Sequence, residues 1–577
     1  MNYIMKSLKI IISFIAFGIT LAGCEKDFLQ RSPLDEVEDS AFFTDPEHLK
    51  TYVNQFYNST IFTRYANHGN DFDSDNQIRI NIDQRLEGTR VISSTGSIPF
   101  ANVRSINYFF DNYKRVEANH PLSAYKQYLG EAYFFRAVIY FNLLQDYGDI
   151  PWITTELNSE SPDLYKPRDP RNIVADNIIA QLDSAAKYLT TDKTSGAGRI
   201  NKWMALLMQS RVALYEGTWE KYHNGTDFGV ANPQPAKYFN KAVEAAEQIM
   251  TSNLYDIYTT SSPSTDYKDL FALRDYSTNK EVMFWKKYDN NLSRGSSAFV
   301  NDRNFRMETP SGNTITKQLA DSYLAIDGKP ITGNPNFLGY STLKLEGQNR
   351  DPRFFQTIAS PDDIWKIATG TPNKFWKEVY DKRNTTGDYN APTGYLIVKG
   401  YNPNMIYHVQ QFEETPSILY RYAEVLLNYA EAKAELGTIN QDDLDKTIKK
   451  LRDRVGMPNL ILTNITPDPK WDFPTLSPII NEVRRERRVE LALEGFRLPD
   501  ILRWAAADEL IFEKRPKGFL ASQHPTNTTP VDNEGFLDPY KNTIPNGYGF
   551  KLDRDYLNSI PVSERVLNPA LTQNPGW

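Results

Sequence analysis

A single cysteine stands in the 577-residue chain, at position 24. A lone thiol forms no internal disulfide, no CxxC redox pair and no thiolate zinc cage. Positive charge is also short, with 65 Lys and Arg against 72 Asp and Glu and a formal net charge of −7. The resulting pI near 5.6 argues against a nucleic-acid binder, which needs a basic face. The sequence has no HExxH, GxSxG, Walker A or GxGxxG pattern. Zincins, nucleophile-elbow hydrolases, P-loop enzymes and dinucleotide folds are thereby disfavoured. Six histidines (His48, His68, His120, His223, His408, His524) are scattered without a pair at ligand spacing. A glycosidase needs only two carboxylates, so the acids alone do not exclude one. After residue 24 no segment approaches 18 consecutive apolar residues, the length a membrane span needs. What the chain has in excess is aromatic side chains: 34 Tyr, 31 Phe and 9 Trp. Hydrophobic residues at 40% and charged ones at 24% fit a folded body rather than disorder.

The cysteine's surroundings explain it. Lys6 and Lys9 form a basic n-region, Ile10 to Ile19 an apolar h-region, and Leu21-Ala22-Gly23-Cys24 follows. The h-region is too short to span a bilayer comfortably and reads as a signal segment. Small residues followed at once by Cys resemble the lipobox of bacterial lipoproteins. By that resemblance residues 1–23 are a signal peptide, Cys24 becomes the lipid-bearing first mature residue, and Glu25-Lys26-Asp27 directs the protein to the outer leaflet. Cleavage takes away two lysines and no acid, so the charge falls from −7 to −9.

Residues 24–45 read as an acidic tether and 46–577 as a single body. Asp45-Pro46 reads as a helix N-cap with Pro at the first position. Amphipathic helices are expected over 130–147, 172–189, 201–215, 236–250, 418–436 and 478–494. Gly148, Gly217, Gly437 and Gly495 serve as their stops. Small residues such as Ala132, Ala205 and Ala430 suit close helix approach, and the texture is that of degenerate tetratricopeptide-type pairs. The fold class expected is mainly α, with long irregular loops and a few short strands, at 281–285 and 395–399. The body divides into helical parts at 46–255 and 416–577 around a loop-rich part at 256–415. Arg136, inside an apolar helix, reads as a satisfied buried arginine, and the Glu486-Arg487-Arg488 run with Glu490 as an ion-pair cluster, Arg487 lying three residues before Glu490.

Several motifs in order resemble the SusD/RagB family of outer-membrane lipoproteins over almost the whole chain. They are Gly130-Glu131-Ala132-Tyr133-Phe134-Phe135-Arg136-Ala137, Tyr147-Gly148-Asp149-Ile150-Pro151 and Arg350-Asp351-Pro352-Arg353. Then come Arg421-Tyr422-Ala423-Glu424, Glu486-Arg487-Arg488-Val489-Glu490-Leu491, Glu494-Gly495-Phe496-Arg497 and the closing Asn568 to Trp577. Trp577 departs from the family's usual terminal tyrosine but keeps an aromatic end. The resemblance implies a non-catalytic surface protein that captures glycan and passes it to a SusC-like TonB-dependent transporter, with no nucleic acid as partner. Capture of peptides or glycoprotein fragments is the alternative within the family.

Sugars offer C–H faces to aromatic rings and hydroxyls to planar polar groups. Loop mixtures of both are the candidate ligand residues. These are Tyr65 and Asn67 with Asp71 and Asp73; Trp219 near Tyr222; Tyr288 and Asn290 with Arg294 and Arg303; and Trp365 with Trp376. Trp203 reads as core. The run Asp71-Phe72-Asp73-Ser74-Asp75-Asn76 matches a calcium loop only in part. Its sixth position is Asn76 rather than Gly, and its twelfth is Ile82 rather than Glu. No cofactor is expected, and calcium is the single metal the sequence suggests.

Overall fold

The computed structural model describes residues 42–58, 70–193, 198–289, 291, 303–382, 387–410, 412–524 and 528–577. Cys24 and the tether up to residue 41 lie outside these. The principal helices are α1 (Pro46–Asn54), α2 (Ala101–Asn112), α3 (Leu122–Tyr147), α4 (Arg171–Tyr188), α5 (Lys202–Tyr222), α6 (Pro235–Thr251), α7 (Tyr422–Glu435), α8 (Ile448–Arg454), α9 (Pro478–Glu490) and α10 (Arg497–Arg503). Asp45 caps α1 as expected, its carboxylate accepting from the Glu47 N–H at 2.8 Å. Helices α3 to α6 each pack on the next, and α7 packs on α6 although residues 252–421 intervene. The loop-rich stretch is therefore an excursion from one helical stack, which resumes where it left off.

Two glycines that read as boundaries lie inside helices. A Cβ at Gly130 would come within 2.9 Å of the Leu189 side chain, and one at Gly217 within 2.8 Å of the Phe239 ring. Both let a neighbouring helix approach, so α3 begins earlier and α5 ends later than the glycine pattern predicts. Gly148, at φ 69°, does end α3.

Among the described residues, three two-stranded antiparallel sheets complete the fold. They pair β1 (Gln77–Ile78) with β3 (Thr314–Ile315), β2 (Val282–Lys286) with β6 (Ser417–Arg421), and β4 (Ile364–Lys366) with β5 (Lys374–Phe375). Residues 418–421, expected as the first turn of a helix, instead form β6. Tertiary pairing with β2 overrides local propensity there, and the helix starts only at Tyr422. The expected strand at 395–399 is reduced to isolated bridges from Tyr395 to Ile315 and from Ile397 to Ile358.

The largest core runs from Phe43 to Leu571. A second core joins Met307 to Tyr401 with Val489, Leu493 and Phe519, so the excursion packs on the end of α9. A buried ionic lattice holds this junction. Glu490 meets Arg454 at 2.6 Å, Arg421 at 2.7 Å and Arg353 at 3.0 Å. Arg353 also meets Glu486 and Asp351 at 2.7 Å each, and Arg421 meets Glu494 at 2.6 Å. The expected cluster exists, but its partners come from distant segments. Arg487 reaches Asp500 at 2.7 Å rather than Glu490.

Arg136 is buried, and a ring and a carbonyl are its partners. Its guanidinium lies 3.6 Å from the Phe110 ring centroid and donates to the Thr154 carbonyl at 3.2 Å, with no carboxylate paired to it among the described residues. Burial lowers it to about 10.

Glu346, buried beside the second core, accepts from the Tyr395 hydroxyl at 2.7 Å, and its Oε2 has no partner. Burial raises it from 4.5 to about 7. The native state therefore holds a proton that the unfolded chain releases between those values. Stability from this group is full below pH 4.5 and is lost as pH rises to about 7, by roughly 3 kcal/mol at most. Glu346→Gln is expected to flatten this fall, as read from urea midpoints between pH 5 and pH 8.

Candidate functional site

A cavity of about 420 Å³ opens where the helical stack meets β6 and the turn after α9. Helix α3 lines it with Val138, Phe141, Asn142 and Gln145, and α5 with Met208, Arg211, Leu214 and Tyr215. Both sets follow the three- and four-residue spacing of one helix face. From β6 come Ile418 to Arg421, from α7 Glu424 and Asn428, and from the turn and α10 Glu494 to Phe496, Asp500 and Arg503. Asn142 is exposed at the mouth, where Gln145 and Asn70 are half-buried.

Arg211 is the cavity's central polar group. Its Nε and Nη2 donate to the two carboxylate oxygens of Glu424, each at 2.6 Å. Its guanidinium lies 5.2 Å from the ring centroids of both Tyr420 and Phe496. Burial works against this charge, but Glu424 more than offsets it and holds Arg211 above its ordinary range. Phe496 also faces the Arg487 guanidinium at 5.3 Å. Below it Arg487 donates to Asn428 at 3.0 Å, and Arg503 joins Asp500 at 2.9 Å to Glu431 at 2.6 Å. The result is a floor of fixed charge pairs, aromatic walls and an amide rim. That combination receives a ligand with apolar faces and many hydroxyls.

The sequence candidates distribute differently. Tyr65, Asn67, Asn290 and Arg294 lie outside the described residues; Asn70, the first described residue after 59–69, lines the cavity. Trp219 is corrected from loop to helix. It lies on α5 with no exposed surface, stacked on His223 at 4.0 Å and covered by Arg171 at 3.8 Å. Trp365 is buried and donates to the Glu308 carbonyl at 2.9 Å, with Trp376 buried beside it. Tyr288 is buried too. Arg303 spends its guanidinium on the carbonyls of Phe271 and Gly400, each at 2.6 Å. None of these five offers a face to a ligand in this structure. Trp203, expected in the core, is half-buried.

The acidic run is structural. Asp71 accepts from the N–H groups of Leu493 at 2.7 Å and Gly495 at 2.9 Å, fixing the turn after α9. That capping ends α9 at Glu490 rather than at Glu494. Asp75 pairs with Arg497 at 2.6 Å and Arg488 at 2.7 Å, and Asp73 with Arg79. The three carboxylates thus turn to different partners rather than to one point. Among the described residues no group of three or more His, Cys, Asp or Glu converges for a metal.

The pairing of Arg211 with Glu424 is not legible in the sequence. The usable signal is a charge inside each of two apolar helical stretches, since buried charges require partners.

A family model described as the SusD family matches residues 273–577, more than half of the chain. The chain belongs to the SusD family. A second model, described as starch-binding and associating with the outer membrane, matches residues 27–214. Among curated relatives, SusD-like protein P2 of Formosa agariphila is 24% identical over 99% of this chain and 100% of its own. Among solved structures, a SusD-like carbohydrate-binding protein of Bacteroides fragilis superposes with a TM-score of 0.68 at 21% identity, covering 92% of this chain and 100% of that one. A laminarin-binding SusD-like protein gives 0.56 at 17% identity, covering 92% and 100%. Both likenesses establish the SusD fold. Among the described residues no helix is long and apolar enough to cross a membrane.

Proposed function

We propose that this SusD-family protein is a non-catalytic, lipid-anchored capture protein for glycans. It holds oligo- or polysaccharide in the cavity around Arg211 and delivers it to a SusC-like TonB-dependent transporter in the outer membrane. The observation that carries the reading is the Arg211 guanidinium between the Tyr420 and Phe496 rings at the head of an amide-rimmed cavity. The starch-binding description of the matched family model and the carbohydrate and laminarin ligands in the names of the structural neighbours support it.

The non-catalytic reading has its own physical support. Glycoside hydrolysis needs one carboxyl group held protonated. Each carboxylate lining the cavity is bound by arginine: Glu424 by Arg211, Glu494 by Arg421, and Asp500 by Arg487 and Arg503. Cavity carboxylates held in this way suit binding better than proton transfer.

Phe496→Ala removes one of the two rings flanking Arg211 while leaving the Glu424 pair. Affinity for the cognate oligosaccharide, measured by calorimetry, is expected to fall about five- to tenfold. Unchanged affinity counts against this cavity. Copurification of a TonB-dependent transporter from native membranes tests the delivery step, and its consistent absence counts against it.

A further inference from the structure

We propose that a second cavity, on a different face of α9, binds a pyranose bearing one anionic group, a carboxylate or a sulfate ester. This rests on the glycan-binding reading and adds a substrate class to it. The cavity measures about 210 Å³ and lies between α9, α10, the 468–473 loop and the segment around Tyr340.

Its charge is unbalanced on the open side. Arg488 and Arg497 stand together and share two carboxylates. Asp75 is buried and meets them at 2.7 and 2.6 Å. Asp472 is 40% exposed and meets them only at 3.1 and 3.6 Å. Lys470, on the same loop, is exposed at the mouth. Three cations thus face two carboxylates, and one ligand anion would complete the set. The neighbouring acids are committed elsewhere. Asp468 and Glu482 both pair with Arg485, at 2.6 and 3.6 Å, and Asp321 accepts from the Tyr340 hydroxyl at 3.0 Å and pairs with Lys317. Arg488, Arg497 and Lys470 are thus the cations of this cavity whose carboxylate on the open side, Asp472, is exposed and loosely held.

The same loop supplies an apolar platform. Trp471 is half-buried and is anchored by its indole N–H to Glu482 Oε1 at 3.2 Å. A sugar's C–H face packs on such a ring while its charged substituent reaches the guanidinium and ammonium groups. Asp472 already holds the position of a carboxylate against both arginines, and its exposure lets it yield that position to a ligand.

The test uses the detergent-solubilised lipoprotein and three probes: tetragalacturonate, a neutral galactotetraose and a sulfated carrageenan tetrasaccharide. At low salt at least one anionic probe is expected to bind about tenfold more tightly than the neutral one. The gap should narrow at high salt. Which anionic probe is preferred distinguishes carboxylate from sulfate ester. Trp471→Ala, at a half-buried position, and Lys470→Gln, at an exposed one, are each expected to shrink the preference, Lys470→Gln with thermal midpoint unchanged. Equal binding of all three probes, binding of none, or a preference that survives both variants overturns the proposal. Its failure leaves neutral-glycan binding and its sensitivity to Phe496→Ala intact, whereas failure of the glycan-binding reading removes both.

Discussion

Glu490→Gln is expected to cost about 3–5 kcal/mol of stability, the range for breaking a buried ion pair from one side. The carboxylate is fully buried and receives three guanidiniums, from Arg353, Arg421 and Arg454. Burial alone would raise its pKa, but Arg454, Arg421 and Arg353 together hold it well below the usual carboxylate range. A neutral amide offers one acceptor oxygen and leaves buried positive charge without a counterion. The three arginines come from the loop-rich excursion, β6 and α8, so the loss is felt across the junction of all three with α9. The exposed pair Lys377–Asp381 is the control, and Asp381→Asn should move stability by no more than about 0.5 kcal/mol. The lattice also sets the acid limb. Glu431, held down to about 2 by Arg503 and its arginine neighbours against burial, and Glu490 both have depressed pKa values. Their contribution is present above about pH 4.5 and is lost as pH falls through the folded values. Wild type should therefore lose more stability between pH 5 and pH 3 than Glu490→Gln, as read from guanidinium midpoints. A substitution cost under about 1 kcal/mol contradicts the lattice as a stabilising junction.

Cys24→Ala is expected to abolish lipid attachment altogether. The thiol is the only acceptor the chain carries, and each buried acyl CH₂ contributes about 0.8 kcal/mol of membrane affinity. Growth with radiolabelled palmitate should label the wild-type protein and leave the variant unlabelled. The variant should also be lost from surface-exposed outer-membrane protein in protease-shaving experiments. Equal labelling of both forms contradicts the lipobox reading.

Most of the helical stack was legible because its signals are local. The Asp45 cap, the Gly148 stop and the apolar faces of α4 and α6 depend on residues a few positions apart. What misled was any residue whose role depends on a distant neighbour. Gly130 reads as a helix start and Gly217 as a stop, but they make room for Leu189 and Phe239. Ile418 to Arg421 fit a helical pattern until β2 claims them. The same limit governs the site. Trp219, Trp365, Tyr288 and Arg303 lie in polar, loop-like text, and only tertiary packing shows them buried. Arg211 and Trp471 were passed over for the converse reason. Arg211 sits in apolar helical text that hides an open face, and Trp471 in a short loop whose cavity is built by α9 and α10.

The central claim is that the cavity around Arg211 holds glycan. Asn142 is exposed where it lines the cavity, so Asn142→Trp fills the entrance at little cost in stability. Oligosaccharide binding measured side by side for wild type and Asn142→Trp is the most direct test. Micromolar binding by the wild type and at least a tenfold loss in the variant, with an unchanged thermal midpoint, is the predicted result. Equal affinity in the two proteins, or no glycan bound by either, would contradict it.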